Sequence, residues 1–155
     1  MNIHLKKNHG FTIVEVIVVL LVIGILTAVA VAKVFSTDPY TLKSQTEVIK
    51  THLRYAQARA MNTNRVWGID FPNSTTYLLF RNKDINDTVA LPGADSNPAT
   101  LPSGVTVSTG TVSFDNWGSP YANATATPPS TDITITVTCN GTESILITKN
   151  TGYID

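Results

Sequence analysis

The sequence predicts an α+β fold: a long N-terminal helix, with a membrane-spanning half and an amphipathic half, packs on a small antiparallel β-sheet. Three observations predict it. Residues 11–32 are almost wholly apolar, residues 39–61 carry apolar positions at helical spacing, and residues 63–155 are rich in Ser, Thr and turn formers. A chain of 155 residues is large enough for one domain with a core and too small for two large ones.

The apolar run comes first in the chain. Eighteen of its 22 residues, FTIVEVIVVLLVIGILTAVAVA, are apolar. As a helix rising about 1.5 Å per residue it would measure roughly 33 Å, enough to cross a bilayer core. Lys6 and Lys7 precede it, so the positive-inside rule predicts a cytoplasmic N-terminus and an external C-terminal part. A plain signal anchor and an ordinary cleaved signal are the alternatives, and the length of the run argues against the second.

Glu15 is an acidic residue inside this apolar run. A carboxylate in hydrocarbon costs about 2–3 kcal/mol or more, so its presence calls for a cationic partner. A cut between Gly10 and Phe11 would create an α-amine about 6 Å along the helix axis from Glu15. That pair is awkward within one chain but natural between two staggered chains, where it would set their register. The alternative is that Glu15 only reaches the nearby membrane interface.

The hexapeptide GFTIVE at residues 10–15, after a basic leader and before an apolar run, resembles the type IV pilin signature. The resemblance implies that a membrane-embedded prepilin peptidase cleaves after Gly10 and N-methylates Phe11. It also implies that Glu15 neutralises the amine of a neighbouring subunit. The leader, with its two lysines, would be lost.

The predicted organisation has four parts: a cleaved leader (1–10), a transmembrane and assembly helix (11–35), an amphipathic helix (36–62) and a β-rich head (63–155). Asp38 as N-cap and Pro39 at the first helical position predict a break or kink and a second helix to about residue 61. The apolar stripe of this second helix predicts a face that packs on the sheet. Its members are Leu42, Ile49, Leu53, Ala56 and Ala60.

The head is predicted to consist of short strands. Asn140-Gly141, after the alternating segment 133–137, predicts a hairpin with a type I′ turn. Residues 82–102 and 123–131 are polar and turn-rich, so we expect surface loops there. The candidate strands are Val66–Phe71, Tyr77–Arg81, Val105–Val107, Val112–Phe114, Ile133–Thr138 and Ser144–Thr148.

Two segments of the second half resemble the GspH/FimT-like group of minor pilins and pseudopilins. LRYAQARAM at residues 53–61 is similar to the helix end of that group, and FDNWGSP at 114–120 is similar to its Phe-x-x-x-Gly-x-Pro turn. The resemblance implies a structural subunit of a type IV pilus or of a type II secretion pseudopilus. A pilus-associated binding module for DNA uptake or adhesion is the alternative.

The same resemblance implies partners and a location. The partners would be other pilins or pseudopilins through the N-terminal helix, the prepilin peptidase and the inner-membrane assembly platform. The location would be the bacterial inner membrane, as a single-pass protein with its C-terminal domain in the periplasm, and afterwards the pilus or pseudopilus.

The sequence carries little that points to catalysis. Of three histidines, His4 and His9 lie in the leader and His52 has no identifiable partner, and neither a phosphate loop nor a dinucleotide fingerprint occurs. We therefore expect no enzyme and no cofactor. Cys139 is the only cysteine, which excludes an internal disulfide and a metal site built from several cysteines.

Charge and loop composition bear on the remaining ligands. Eleven Lys and Arg balance eleven Asp and Glu, and residues 147–155 contain one lysine, so we expect no nucleic-acid partner. Acidic and amide residues at 84–87 and 95–97 leave calcium open as an alternative to a polar turn. They lack the spaced series of an EF-hand, and we expect no metal.

Overall fold

The computed structural model describes residues 12–34, 38–128 and 130–155, in two compact units, Met1–Thr37 and Asp38–Asp155. Helix α1, Ile13–Val34, belongs to the first unit. Its side chains are described as far as Ala28, and all of them are exposed. Among the described residues, no helix reaches the length and apolar content of a membrane span.

The second unit contains helix α2, Asp38–Thr63, and two antiparallel sheets. The strands are β1 Trp67–Phe71, β2 Thr76–Arg81, β3 Asp84–Val89, β4 Ala99–Thr100, β5 Thr106–Val107, β6 Gly110–Phe114, β7 Pro120–Tyr121, β8 Ile133–Thr138 and β9 Thr142–Ile147. One sheet has the order β3-β2-β1-β6-β7, with β4 also paired to β2, and the other has the order β5-β8-β9. The predicted class, helices with an antiparallel β-rich domain, is confirmed. The division into two sheets was not predicted.

Helix α2 packs mainly on β1 and also contacts β6, β8 and β9. The predicted apolar stripe forms this contact, because each of its members is at most 6 % exposed: Leu42, Ile49, Leu53, Ala56 and Ala60. The prediction of a helix from Pro39 to about residue 61 is therefore confirmed within two residues. The junction at residues 35–37 lies outside the described residues.

The expectation that residues 82–102 form a surface loop is wrong, because β3 and β4 lie within this range. Strand β3 sits at the edge of its sheet, and its side chains are exposed or half-buried, so it lacks the apolar alternation by which strands are recognised. It is joined to β2 by a two-residue turn, Asn82-Lys83. Both residues have positive φ, +58° and +65°, as a type I′ turn requires.

The second hairpin differs from its prediction in detail. Strands β8 and β9 pair as a hairpin, which confirms that part. Three residues separate the paired Thr138 and Thr142, however, and of these only Asn140 has positive φ, +48°. The predicted type I′ turn at Asn140-Gly141 is therefore wrong, since that turn needs two consecutive left-handed residues.

Candidate functional site

The predicted processing and assembly residues lie at the N-terminus. Lys6, Lys7, Gly10 and Phe11 are outside the described residues. Glu15 lies inside them, in the first turn of α1.

Thr12 and Glu15 together form the start of α1. The Thr12 hydroxyl accepts a hydrogen bond from the backbone N–H of Glu15 at 3.2 Å, and the Thr12 carbonyl accepts one from Val16 at 3.3 Å. Thr12 is thus the N-cap and Glu15 the third helical residue, which is the spacing of a capping box. The positive end of the helix dipole favours a carboxylate at this position. Glu15 is exposed, so a cation of another chain can reach it.

Residues 13–28 of α1 present apolar side chains that are left uncovered. Ile13 is 79 % exposed, and Leu20 and Leu26 are 64 % and 62 % exposed. Removing apolar surface from water is favourable by about 25 cal/mol per Å². Burial of these side chains, by lipid or by other apolar helices, would therefore stabilise the helix.

In the second unit, the end of α2 is joined to the first strand by Trp67. The Arg59 guanidinium lies 4.9 Å from the centre of the Trp67 ring, a cation–π distance, and the indole N–H donates to the Thr63 hydroxyl at 2.8 Å. Trp67 is buried and opens β1. The segment 53–61, singled out in the sequence, thus anchors the helix to the sheet.

The turn at residues 114–120 is organised by Asp115. One carboxylate oxygen accepts hydrogen bonds from the backbone N–H groups of Trp117 and Ser119, both at 2.9 Å. The other oxygen accepts one from the Tyr121 hydroxyl at 3.1 Å. The second segment singled out in the sequence is therefore a tight turn closed by its own acidic side chain.

Gln57 connects helix α2 to this turn and to the C-terminal segment. Its side-chain amide donates to the carbonyl oxygens of Gly118 and Gly152, both at 2.9 Å. Gly152 has φ +61°, and a Cβ there would overlap the Gly118 carbonyl oxygen and the Gln57 amide. Next to it, the Arg54 guanidinium donates to the Ile154 carbonyl at 3.0 Å. These contacts were not predicted from the sequence. The two glycines, Gly118 and Gly152, are the one feature of the sequence that indicates a close approach of the backbone there.

His52 does have partners. Its Nδ1 lies 2.9 Å from the Tyr77 hydroxyl, and its Nε2 lies 3.1 Å from the Pro92 carbonyl oxygen. Since a carbonyl only accepts, Nε2 carries the hydrogen and the Tyr77 hydroxyl donates to Nδ1 of the neutral ring. Burial lowers the pKa of His52 and raises the pKa of Tyr77 to about 12, so both stay neutral at pH 7. Neither partner could be identified from the sequence. The contacts of His52 tie α2 to β2 and to the loop after β3.

The acidic segment considered for calcium is occupied by internal contacts. Asp84 accepts from the backbone and side-chain N–H groups of Asn86, and Asp87 accepts from Asn82 and Arg81. The hydrogen bond from Asn82 lowers the pKa of Asp87 most, and the hydrogen bond from Arg81 lowers it further. Within the described ranges, no group of three His, Cys, Asp or Glu side chains is placed to hold a metal ion.

Two family models match the chain. Residues 5–31 match the prokaryotic N-terminal methylation motif, and residues 45–152 match the type II transport protein GspH. None of the curated proteins matches it. Two solved structures of the type IV minor pilin FimU from Pseudomonas aeruginosa PAO1 are similar in fold. One has 18% identity, a TM-score of 0.52 and covers 77% of this chain and 90% of that one. The other has 19% identity, a TM-score of 0.49 and covers 74% and 90%.

These matches agree with the geometry described above. The methylation motif covers the capped apolar helix, and it is typical of a membrane-anchored pilin. The GspH match covers most of α2 and both sheets, including the Gln57 contacts. Pilin families are structural rather than enzymatic, and their members assemble with other pilins. A binding module as the main role is not favoured. The chain belongs to the family of the type II transport protein GspH and is a subunit of the minor pilin or pseudopilin type.

Proposed function

We propose that this subunit is made with the leader 1–10, cleaved between Gly10 and Phe11 by a prepilin peptidase and N-methylated on Phe11. In this proposal Lys6 and Lys7 hold the leader on the cytoplasmic side. The inner membrane then holds the chain by residues 11–35, with the α2 and sheet unit in the periplasm. An assembly platform transfers it into a pilus or pseudopilus. The proposal assigns no catalytic reaction to the chain.

The observation that carries the proposal is the uncovered apolar surface of α1 within the residues that match the methylation motif. Ile13, Leu20 and Leu26 are more than 60 % exposed, although such side chains are stabilised by burial. Lipid covers them before assembly and neighbouring helices cover them in the filament.

Glu15 sets the register in this proposal. The capping arrangement with Thr12 supports a position where the carboxylate is exposed at the start of the helix. There it meets the new α-amine of Phe11 from the adjacent subunit. In an apolar bundle that amine would otherwise be a buried, uncompensated charge, which is costly.

The test separates processing from assembly. A Glu15→Gln variant is expressed in cells that contain the prepilin peptidase and the assembly proteins of its own system. A Glu47→Gln variant, which removes an exposed carboxylate on α2, is the control. Mass spectrometry reads the N-terminus, and sheared filaments report incorporation. We expect both variants to begin at methylated Phe11, and Glu15→Gln to be incorporated about tenfold less, the equivalent of about 1.4 kcal/mol. A product that begins elsewhere refutes the cleavage site. Normal incorporation of Glu15→Gln refutes the register argument.

A further inference from the structure

A polar cavity of about 440 Å³ opens where the end of α2 meets two turns of the first sheet. Its volume falls in the range of ligand sites in proteins. Six polar residues line it: Asn64, Arg65, Asn82, Lys83, Asp115 and Asn116. Neither the methylation motif nor the filament role uses it.

The two cations of this cavity are not neutralised. The ion pairs within the described residues are Lys50 with Glu47 and Arg81 with Asp87. Arg65 donates one hydrogen bond, to the side-chain oxygen of Asn82 at 3.3 Å, and acts on Asp87 only at longer range. Lys83 is exposed and has no ion pair in the described part of the chain.

The carboxylate that lines the cavity, Asp115, makes no ion pair with Arg65 or Lys83. Both oxygens of Asp115 are engaged, by the turn backbone and by the Tyr121 hydroxyl. Charge is also unevenly placed on this unit. Residues 64–155 contain eight Asp and Glu but four Lys and Arg, and three of these four are Arg65, Arg81 and Lys83. Two of the four basic side chains of this acidic segment, Arg65 and Lys83, therefore line the cavity.

The backbone holds the lining residues in fixed places. Asn64 follows the last residue of α2 with φ +53°, the left-handed conformation that ends helices. Asn82 and Lys83 form the type I′ turn between β2 and β3, and the Asn82 N–H donates to the Val66 carbonyl at 2.9 Å. A preorganised site loses less conformational entropy when a ligand binds.

We propose that this cavity binds a carboxylate of an acidic protein segment. Arg65 and Lys83 are the cationic contacts, and the amides of Asn64 and Asn116 pair with backbone groups beside the bound acid. Side-chain amides both donate and accept, so they match the two polar groups of a peptide unit. Charge-assisted bonds from two cations satisfy one carboxylate. This inference does not depend on the filament role.

A protein ligand fits better than a nucleic acid. Nucleic-acid binding draws its affinity from many neutralised phosphates, which requires a row of basic residues. Here two cations are available, and Asp84 and Asp87 lie on the adjoining strand, where they would repel a phosphate chain. A single carboxylate meets less of this repulsion than a row of phosphates does.

The test uses the full chain, ¹⁵N-labelled, in nonionic micelles and titrated with capped hexaglutamate. We expect amide shifts centred on residues 64–65, 82–83 and 115–117. Arg65→Gln and Lys83→Gln should each weaken binding about fivefold, while Arg65→Lys keeps most of it. Lys149→Gln, which removes an exposed basic side chain that does not line the cavity, is the matched control and should change nothing. Unchanged spectra away from the cavity show that each variant is folded.

Three results overturn the proposal. The first is shifts centred elsewhere, or an equal loss in Lys149→Gln, because binding would then be nonspecific. The second is unchanged affinity in both Arg65→Gln and Lys83→Gln. The third is that hexaglutamine or a hexathymidylate binds the same residues as tightly as hexaglutamate, since the carboxylate would then not be the group recognised. N-terminal processing and filament incorporation are measured separately, so failure here leaves the proposed function untouched.

Discussion

The contact of Gln57 with two glycine carbonyls makes Gly152 the position where one added methyl group should do most harm. In Gly152→Ala the new Cβ overlaps the Gly118 carbonyl oxygen and the Gln57 amide. The backbone must move, and both hydrogen bonds of Gln57 are lost. The variant also places a side chain at φ +61°, where glycine is favoured.

The magnitude follows from these separate costs, and Gly93→Ala isolates one of them. Gly93 has φ +75° and open space around its would-be Cβ, so its substitution has the same conformational cost without a contact. That cost is about 1–2 kcal/mol, reduced by about 0.5 kcal/mol through the stiffer unfolded chain. Two lost hydrogen bonds add about 1 kcal/mol each. We therefore expect Gly152→Ala to lose about 3 kcal/mol and Gly93→Ala about 1 kcal/mol.

Thermal unfolding of the purified full chain in detergent measures this difference. Trp67 and Trp117 both lie in the unit Asp38–Asp155, so tryptophan fluorescence reports unfolding of this unit rather than of α1. A difference of about 2 kcal/mol corresponds to a Tm about 6–10 °C lower for Gly152→Ala than for Gly93→Ala. Equal Tm values would refute the reasoning, because the cost would then be conformational alone.

Two further predictions concern helix α2. Burial lowers the pKa of His52 below its usual value of 6.5. As the pH falls, the unfolded chain therefore takes up the proton before the folded chain does. The contribution of His52 to the free energy of unfolding is present above pH 6.5 and declines below it. Tm measured from pH 7.5 to 5.0 should therefore fall less in His52→Gln than in wild type, and equal slopes would contradict this. Leu53 is fully buried, whereas Val48 is 37 % exposed. In the same unfolding assay, Leu53→Ala should therefore lower the free energy of unfolding by about 2–5 kcal/mol and Val48→Ala by under about 0.5 kcal/mol. Similar losses in the two variants would contradict the packing of α2 on the sheet.

Local periodicity accounts for what could be predicted. The stripe from Leu42 to Ala60 repeats with the turn of a helix, and an apolar stripe of this kind is stabilised by burial, so both the helix and its inner face were predictable. The alternating segment Ile133–Thr138 was predictable for the same reason. Glu15 stood out because a charge in an apolar run is costly wherever the run is placed.

What could not be predicted depends on contacts between distant residues. Strand β3 is an edge strand with polar side chains, so its pairing with β2 leaves no apolar pattern. Its turn, Asn82-Lys83, lacks the glycine that usually marks type I′. Gln57 reaches carbonyls 61 and 95 residues away, and His52 reaches Tyr77 and Pro92. Spacing along the chain carries no information about such pairs.

The shared amide of Gln57 has a mechanical consequence if force is applied along α2. A pull along α2 reaches the β6–β7 turn through Gly118 and the strand-like C-terminal segment through Gly152 at the same moment. The load is divided between two sheets instead of peeling one strand from its edge. Rupture would then require both bonds to break together, which slows it compared with breaking them in sequence.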